Sequence, residues 1–398
     1  MVPDGWVKAR LGSVAELQRG FDLPSSQRIN GCVPIVSSGG VSGYHSEAKS
    51  KAPGVVTGRY GSIGDVFYLE EDYWPLNTSL WVKDFHGNHE RFIYYLLSNF
   101  DFKKFSDKTG VPGVNRNDLH AVRVWLPPIP EQKKIAQILA TWDKAITTTE
   151  QLLTNSQQQK KALMQQLLTG KKRLLDKNGV KFSGEWRISI LGELGDTYSG
   201  LTGKTKDDFG KGKSYIPYIN IFRNSRIDLR TLEKVNISSG ERQVQAKYGD
   251  IFFTTSSETP DEVGMSSVLL NHVDELYLNS FCFGFRLYSF DTLRPEYARF
   301  IFRSERVRLA ISVMGQGATR YNLSKRQLKK LELNLPSVQE QQKIAEVLSI
   351  ADQEITALQQ KLGRLKQEKK ALMQQLLNGK RRVVVDKKNM EVANAFSD

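Results

Sequence analysis

The groups best suited to chemistry in this sequence are hydrogen-bond donors in glycine-rich loops. Residues 57–64 read Thr-Gly-Arg-Tyr-Gly-Ser-Ile-Gly and set Arg59, Tyr60 and Ser62 among glycines. Residues 315–322 read Gly-Gln-Gly-Ala-Thr-Arg-Tyr-Asn and offer Gln316, Arg320 and Tyr321. Residues 109–116 read Thr-Gly-Val-Pro-Gly-Val-Asn-Arg and end on Asn115 and Arg116. Asn220 and Arg223 in residues 218–223, and Thr255 and Ser256 in residues 254–257, stand at the ends of short apolar runs. The chemistry these types share is recognition of nucleic acid. Arg bonds guanine edges or phosphate, Gln and Asn bond adenine, and hydroxyls serve either. Glycine lets the backbone approach a ligand closely. Each loop has a plainer reading beside this one. The first is also a tight β-turn with a surface Arg, and the other two are also helix caps and turns.

Catalysis finds little support. The first loop lacks the Gly-Lys-Ser/Thr ending of a phosphate-binding loop. His45, His86, His89, His120 and His272 show no metal-ligand spacing, so no metal site is assigned. There is no Gly-rich S-adenosylmethionine loop and no Asn-Pro-Pro-aromatic methyltransferase motif. Nuclease-like Glu-x-Lys triplets start at Glu47, Glu131 and Glu368, a number that chance supplies at ordinary Glu and Lys usage. Cys32 and Cys282 lie far apart among apolar neighbours and read as small core residues of a reduced, cytoplasmic protein. No residue is assigned a catalytic role.

The elements that must position these loops announce themselves by repetition. Lys-Lys-Ala-Leu-Met-Gln-Gln-Leu-Leu starts at Lys160 and again at Lys369, an offset of 209 residues that holds back to Glu131-Gln132 and Glu340-Gln341. Such internal similarity decides the architecture. In the first copy Ile135, Leu139, Trp142, Ile146, Leu153, Leu163 and Leu167 fall on an a/d heptad seam. In the second copy Ile344, Leu348, Ile355, Leu358, Leu362, Leu365, Leu372 and Leu376 keep the same register. This predicts two long helices, 131–172 and 338–382, that pair within the chain as a coiled coil. At 1.5 Å per residue, 39 helical residues span roughly 58 Å. Prolines precede both helices, and Gly170 and Gly379 stand where a glycine stop belongs. Lys160 and Lys369 also fall on the seam, where a charge either sets orientation or snorkels past. The basic stretches 171–173 and 380–382 are either phosphate contacts or solvated helix ends.

The 398 residues carry a net charge of +14, a balance that favours nucleic acid as partner over a merely solvated basic surface. Hydrophobic content of 39% and charged content of 25% suit a soluble protein with proper cores. No apolar run is long enough for a membrane span, and the first 30 residues carry no apolar leader. Residues 131–176 hold eight Lys and Arg against four Asp and Glu, and residues 340–382 hold nine against five. The helices thus carry a mildly positive extended surface.

The rest of the chain is two globular regions, 1–130 and 173–337, followed by a loose tail, 383–398. Trp6 and Leu11-Gly12 open the first region, and Trp186 and Leu191-Gly192 open the second. Between such anchors the two diverge. Residues 54–57, 65–69 and 79–82 read as strands in the first, and 251–254 and 281–287 in the second. Residues 90–105 and 295–314 read as amphipathic helices. The fold class expected is α+β, two mixed α/β domains separated by two long antiparallel helices.

The order of parts, with LPPIPEQKKIA and KKALMQQLLTGKKRL echoed by LPSVQEQQKIA and KKALMQQLLNGKRRV, resembles the specificity subunit of Type I restriction–modification systems. TGRYGSIGDVFY with WPLNTSLW is similar to a stretch common in that family's first domains. The resemblance covers nearly the whole chain. It implies that 1–130 and 173–337 are target-recognition domains, each reading one half of a bipartite, asymmetric double-stranded DNA site. It implies that the helices act as an antiparallel spacer. It implies a subunit without chemistry of its own, which recruits two methyltransferase subunits for DNA modification at adenine N6 and, through them, restriction subunits. S-adenosylmethionine, ATP and Mg would then belong to the partners, with none held here. An autonomous restriction nuclease and a protein-only coiled-coil adaptor are the alternatives. A four-residue helical insertion before Gly170 is expected to lengthen the unread spacer and leave both half-sites unchanged.

Overall fold

The computed structural model describes residues 5–105, 113–317 and 319–385. The chain divides into two compact units, one of Met1–Gln151 with Gln359–Asp398, the other of Leu152–Leu358. Each unit holds a globular domain, the first half of the long helix that follows it, and the second half of the other long helix.

The long helices run Ile129–Leu167 and Val338–Leu377. The first starts earlier than the heptad pattern showed, because Pro130 fits a first helical turn, where no N–H is required. Both stop about five residues short of the expected 172 and 382. Gly170 and Gly379 take φ of +74° and +67°, and beyond them Lys172 N–H donates to the Gln166 carbonyl and Arg381 N–H to that of Gln375. Left-handed glycines with such backward bonds satisfy the last carbonyls and end a helix. None of the a/d residues named above is exposed. Leu139 and Leu348 are fully buried, each a gain of roughly 1.5–3 kcal/mol over exposure.

Ion pairs give the direction of the helix halves in each unit. In the first, Glu131 meets Arg382, Asp143 meets Lys369, and Glu150 meets Lys366 at 2.7 Å. In the second, Glu340 meets Arg173 at 2.6 Å, Asp352 meets Lys160 at 2.5 Å, and Ser156 donates to Glu354. As numbers rise on one helix they fall on the other, so the halves are antiparallel in both units. The seam lysines do not snorkel. Each meets an aspartate of the opposite helix, the orienting role of a charged seam position. Parallel, in-register pairing would set Lys160 against Lys369 and Asp143 against Asp352.

The repeated Glu-Gln pair explains how a domain grips its helix. Gln132 and Gln341 are buried. Gln132 donates to the Pro127 carbonyl and the Asn88 side chain, and accepts from His89 N–H at 2.9 Å. Gln341 donates to the Pro336 and Thr292 carbonyls and accepts from Arg294 N–H at 3.0 Å. In both cases the amide ties the start of the long helix to the residue that caps a domain helix, Glu90–Ser98 or Pro295–Ile301. The buried Glu131 accepts from Trp6 Nε1 and Arg382, and the buried Glu340 takes a bidentate Arg173. Arg173, half-buried, and Arg382, still exposed, are thus each tied to a buried carboxylate at the start of the other long helix.

The two domains share a sheet topology that their sequences hide. The first has a four-stranded antiparallel sheet in the order Glu16–Arg19, Ser79–Asp84, Gly54–Gly58, Val66–Leu69. The second has Gly195–Ser199, Cys282–Leu287, Ile251–Thr254, Ser266–Val268 in the same order and sense. Each adds a three-stranded sheet with one antiparallel and one parallel neighbour, and a two-stranded ladder that begins and ends the domain. The main core of the first unit runs from Leu11, Val55 and Phe92 into Ile135, Leu139, Leu376 and Leu377. That of the second runs from Leu191, Phe253 and Tyr297 into Leu167, Ile344 and Leu348. Domain and helix halves are thus one hydrophobic body in each unit.

Three expectations need correction. The helix expected over 90–105 ends at Ser98, where the N–H groups of Asn99 and Phe100 turn back onto the carbonyls of Tyr95 and Leu97, and a short 3₁₀ turn follows at Phe102–Phe105. The helix expected over 295–314 breaks between Ile301 and Glu305, where Ser304 is extended and its hydroxyl bonds the Ile301 carbonyl. Cys282 is a core residue, but Cys32 is exposed. Of the expected tail, Val383 packs on the first core, and residues 386–398 lie outside the described residues.

Candidate nucleic-acid interface

The glycine-rich loop of the first domain follows the strand Gly54–Gly58 and is held at its base by neighbouring backbone. Arg59 and Tyr60 N–H both donate to the Thr78 carbonyl, at 3.0 and 3.3 Å. Val114 N–H donates to the Arg59 carbonyl, and Tyr60 bridges to Gly113. Residues 58–64 and 113–116 therefore meet, although some fifty residues separate them. The Arg59 guanidinium lies 4.6 Å from the centre of the Tyr60 ring. That contact pre-orders a long cation without neutralising it. Tyr60, Ser62, Asn115 and Arg116 are exposed and Arg59 is half-buried. The Asn115 side chain caps the helix Arg116–Ala121 by accepting from Asn117 N–H, which uses one of its oxygen's two lone pairs. Residues 109–112 of this loop lie outside the described residues.

The second domain repeats the arrangement with other residues. Ser256–Ser257 pairs with Tyr321–Asn322, and Leu323 N–H donates to the Thr255 carbonyl at 2.8 Å. Thr255 N–H donates to the Phe281 carbonyl at 3.0 Å. Gln316 and Asn322 exchange backbone bonds and close the glycine loop, of which Ala318 lies outside the described residues. The Tyr218 hydroxyl donates to the Ser256 carbonyl, and its ring stacks on Phe222. Gln316, Arg320 and Arg223 are exposed, while Thr255, Ser256 and Tyr321 are half-buried. In both domains the polar loops gather where the third strand of the sheet ends and the second begins.

Asn220 is a correction. It is 1% exposed. Its amide donates to the Asp228 carbonyl and the Thr231 hydroxyl, and its oxygen accepts from Asp228 N–H. A side chain so fully used holds a turn and reads nothing.

Sequence reasoning also missed residues. Phe281 is 66% exposed beside Thr255. It opens the run 281–287, which reads from the sequence only as a strand, and nothing in that pattern marks it as exposed. Arg303 and Arg308 tie together backbone next to the candidate residues. Arg303 donates to the carbonyls of Ile221, Phe222, Asn224 and Ser266, and Arg308 to those of Asp261, Val263 and Gly264. Burial, with the charge of Arg308 added, pushes Arg303 down to about 10, and burial also lowers Arg308. Nothing in their spacing distinguished them from surface arginines.

Three histidines serve structure. His89 caps the helix Glu90–Ser98, His120 accepts from Leu17 N–H, and His45 accepts from Ile29 N–H. Burial lowers the pKa of His89 and of His120, which favours the neutral acceptor form. Among the described residues, no helix is long and apolar enough to cross a membrane.

Two domains of one topology thus place loop donors and cations at equivalent ends of their sheets, on a chain of net charge +14. Residues 3–155 and 183–367 match the family model of the Type I restriction modification DNA specificity domain. The chain belongs to that family, and its work is the recognition of DNA sequence. It is 24% identical over 313 residues to the Type I restriction enzyme MjaVIII specificity subunit of Methanocaldococcus jannaschii, covering 73% of this chain and 70% of that one. It is also 24% identical over 310 residues to the putative MjaX specificity subunit of the same organism, covering 73% and 68%. Its fold is similar to the Type I restriction–modification S subunit from M. genitalium, with a TM-score of 0.62 at 15% identity over 94% of this chain and 96% of that one. A chain from a structure of type I R-M complex assembly and conformational transition gives a TM-score of 0.54 at 16% identity, covering 95% and 98%.

Proposed function

We propose that this chain is the non-catalytic specificity subunit of a Type I restriction–modification complex, with each domain reading one half of a bipartite double-stranded DNA site. The observation that carries this reading is one topology used twice, with different loop chemistry at the same place. Arg59, Tyr60, Ser62, Asn115 and Arg116 face the first half-site. Arg223, Thr255, Ser256, Gln316, Arg320 and Tyr321 face the second. The long helices set the gap between half-sites and dock the methyltransferase subunits, which in turn bring restriction subunits. Ile350, 57% exposed, and Leu152 are apolar groups on the solvent side of those helices and suit such docking. S-adenosylmethionine, ATP and Mg act in the partners, and the complex works in the cytoplasm.

The reading is tested by Arg59→Ala and Arg320→Ala in the complex with its methyltransferase, assayed on duplexes mutated in one half-site at a time. A lost base contact of this kind costs about 1–3 kcal/mol. Each variant is expected to lose roughly ten- to hundred-fold in affinity and to stop discriminating bases in one half-site only. Unchanged affinity and discrimination in both variants would contradict the assignment of these loops.

A further inference from the structure

Asp143 and Asp352 are the same position in the two helical repeats, 209 residues apart, and so are Lys160 and Lys369. Each aspartate meets the lysine of the opposite helix. Each also takes a bond from the globular domain of its own unit. The Tyr95 hydroxyl donates to Asp143 at 2.6 Å, and Arg299 donates to Asp352. Each lysine in turn lies over a domain aromatic ring, Lys369 at 5.4 Å from Tyr95 and Lys160 at 6.0 Å from Phe300. The domain helices that supply these groups read ERFIYYLLS and PEYARFI and have little sequence in common. They nonetheless end on the same constellation: carboxylate and ammonium from the shared helices, aromatic ring and donor from the divergent domain.

A half-buried ion pair between a seam lysine and an aspartate beside the opposite seam is a poor way to hold two helices together. Apolar residues of similar volume often stabilise as well or better. The pair stands in both repeats, and in both it is shared with the domain. Leucines could join the helices, but they could not hold a domain helix at a fixed angle through a directional, charge-assisted bond. We propose that Asp143 with Lys369, and Asp352 with Lys160, form a twice-built socket that fixes the angle of each recognition domain on its helical stem. Tyr95 and Arg299 are then positioning residues for the gap between half-sites, although neither reads a base.

This inference rests on the bipartite reading above, and its test keeps the two apart. Tyr95→Phe removes the domain's bond to Asp143 but keeps the ring and the Lys369–Asp143 pair. Modified adenines are mapped genome-wide in cells carrying the cognate methyltransferase subunit with the parent chain, with Tyr95→Phe, or with Arg299→Lys. The expected result is that both half-sites keep their bases in the variants. Sites whose gap is one base pair longer or shorter then rise roughly ten-fold in modification, the scale of one hydrogen bond to a charged group. A purely structural role would lower modification evenly at the native gap. That outcome, or no change in either variant, overturns the inference. Absence of any bipartite motif with the parent chain would instead sink the proposed function itself.

Discussion

One heptad inserted into each long helix, between Gln151 and Leu152 and between Leu358 and Gln359, abolishes modification at the native sites. Three heptads in each restore it, with the same half-sites and a longer gap. The positions are the boundaries of the two units, so no ion pair within a unit is disturbed. A heptad returns the seam to the same face, so it adds length without turning one domain about the stem. At 1.5 Å per residue it adds about 10.5 Å, about three base pairs at 3.4 Å each. B-DNA turns once in roughly 34–36 Å, so three base pairs carry the second half-site about a third of the way round the duplex, out of reach. Three heptads add about 31 Å, close to a full turn and about nine base pairs. Adenine mapping in cells with the methyltransferase subunit checks both variants. Native-gap modification with one heptad would refute the ruler, as would altered half-site bases with three. The four-residue insertion before Gly170 is a worse test, since it moves Arg173 off Glu340.

Glu340→Ala lowers the stability of the second unit by about 3–5 kcal/mol, the usual effect of removing one partner from a buried ion pair. Glu340 is 1% exposed and binds Arg173 through both oxygens, at 2.6 and 2.7 Å. Alanine leaves a mostly buried guanidinium without its carboxylate and a hole at the start of the second long helix. For a unit of this size the fall in melting temperature is on the order of 10 °C. Glu340→Gln keeps the shape and one acceptor and is expected to fall less. Thermal unfolding of the purified chain decides. A melting temperature for the alanine variant within about 2 °C of the parent would show that the Glu-Arg clamp is incidental.

The stems were legible because two signals coincide there. The heptad period marks the faces that bury Leu139 and Leu348, and the exact repeat marks equivalent ends, down to Gly170 and Gly379. The repeat also flagged Glu131-Gln132 and Glu340-Gln341, but not their work. Their partners, Arg382, Arg173, His89 and Arg294, are set by tertiary packing and leave no local trace. The common sheet topology was invisible for a related reason. A strand such as Ile251–Thr254 needs only to be apolar to match Gly54–Gly58 in place, so the residues drift while the position persists. At the interface, residue type alone could not separate Arg223, which is exposed, from Asn220 three residues away, which is buried in a turn. Polar residues in short loops serve the fold as readily as a ligand, and only burial and partners distinguish the two.

The central claim is that this chain gives a methyltransferase its sequence specificity through two half-sites at a fixed distance. The most direct measurement maps modified adenines in cells carrying this chain together with its cognate methyltransferase subunit, and in cells carrying either one alone. A bipartite motif with a constant gap, present only when both are expressed, is the expected result. Modification by this chain alone, or a motif that persists without it, would mean that the specificity lies elsewhere.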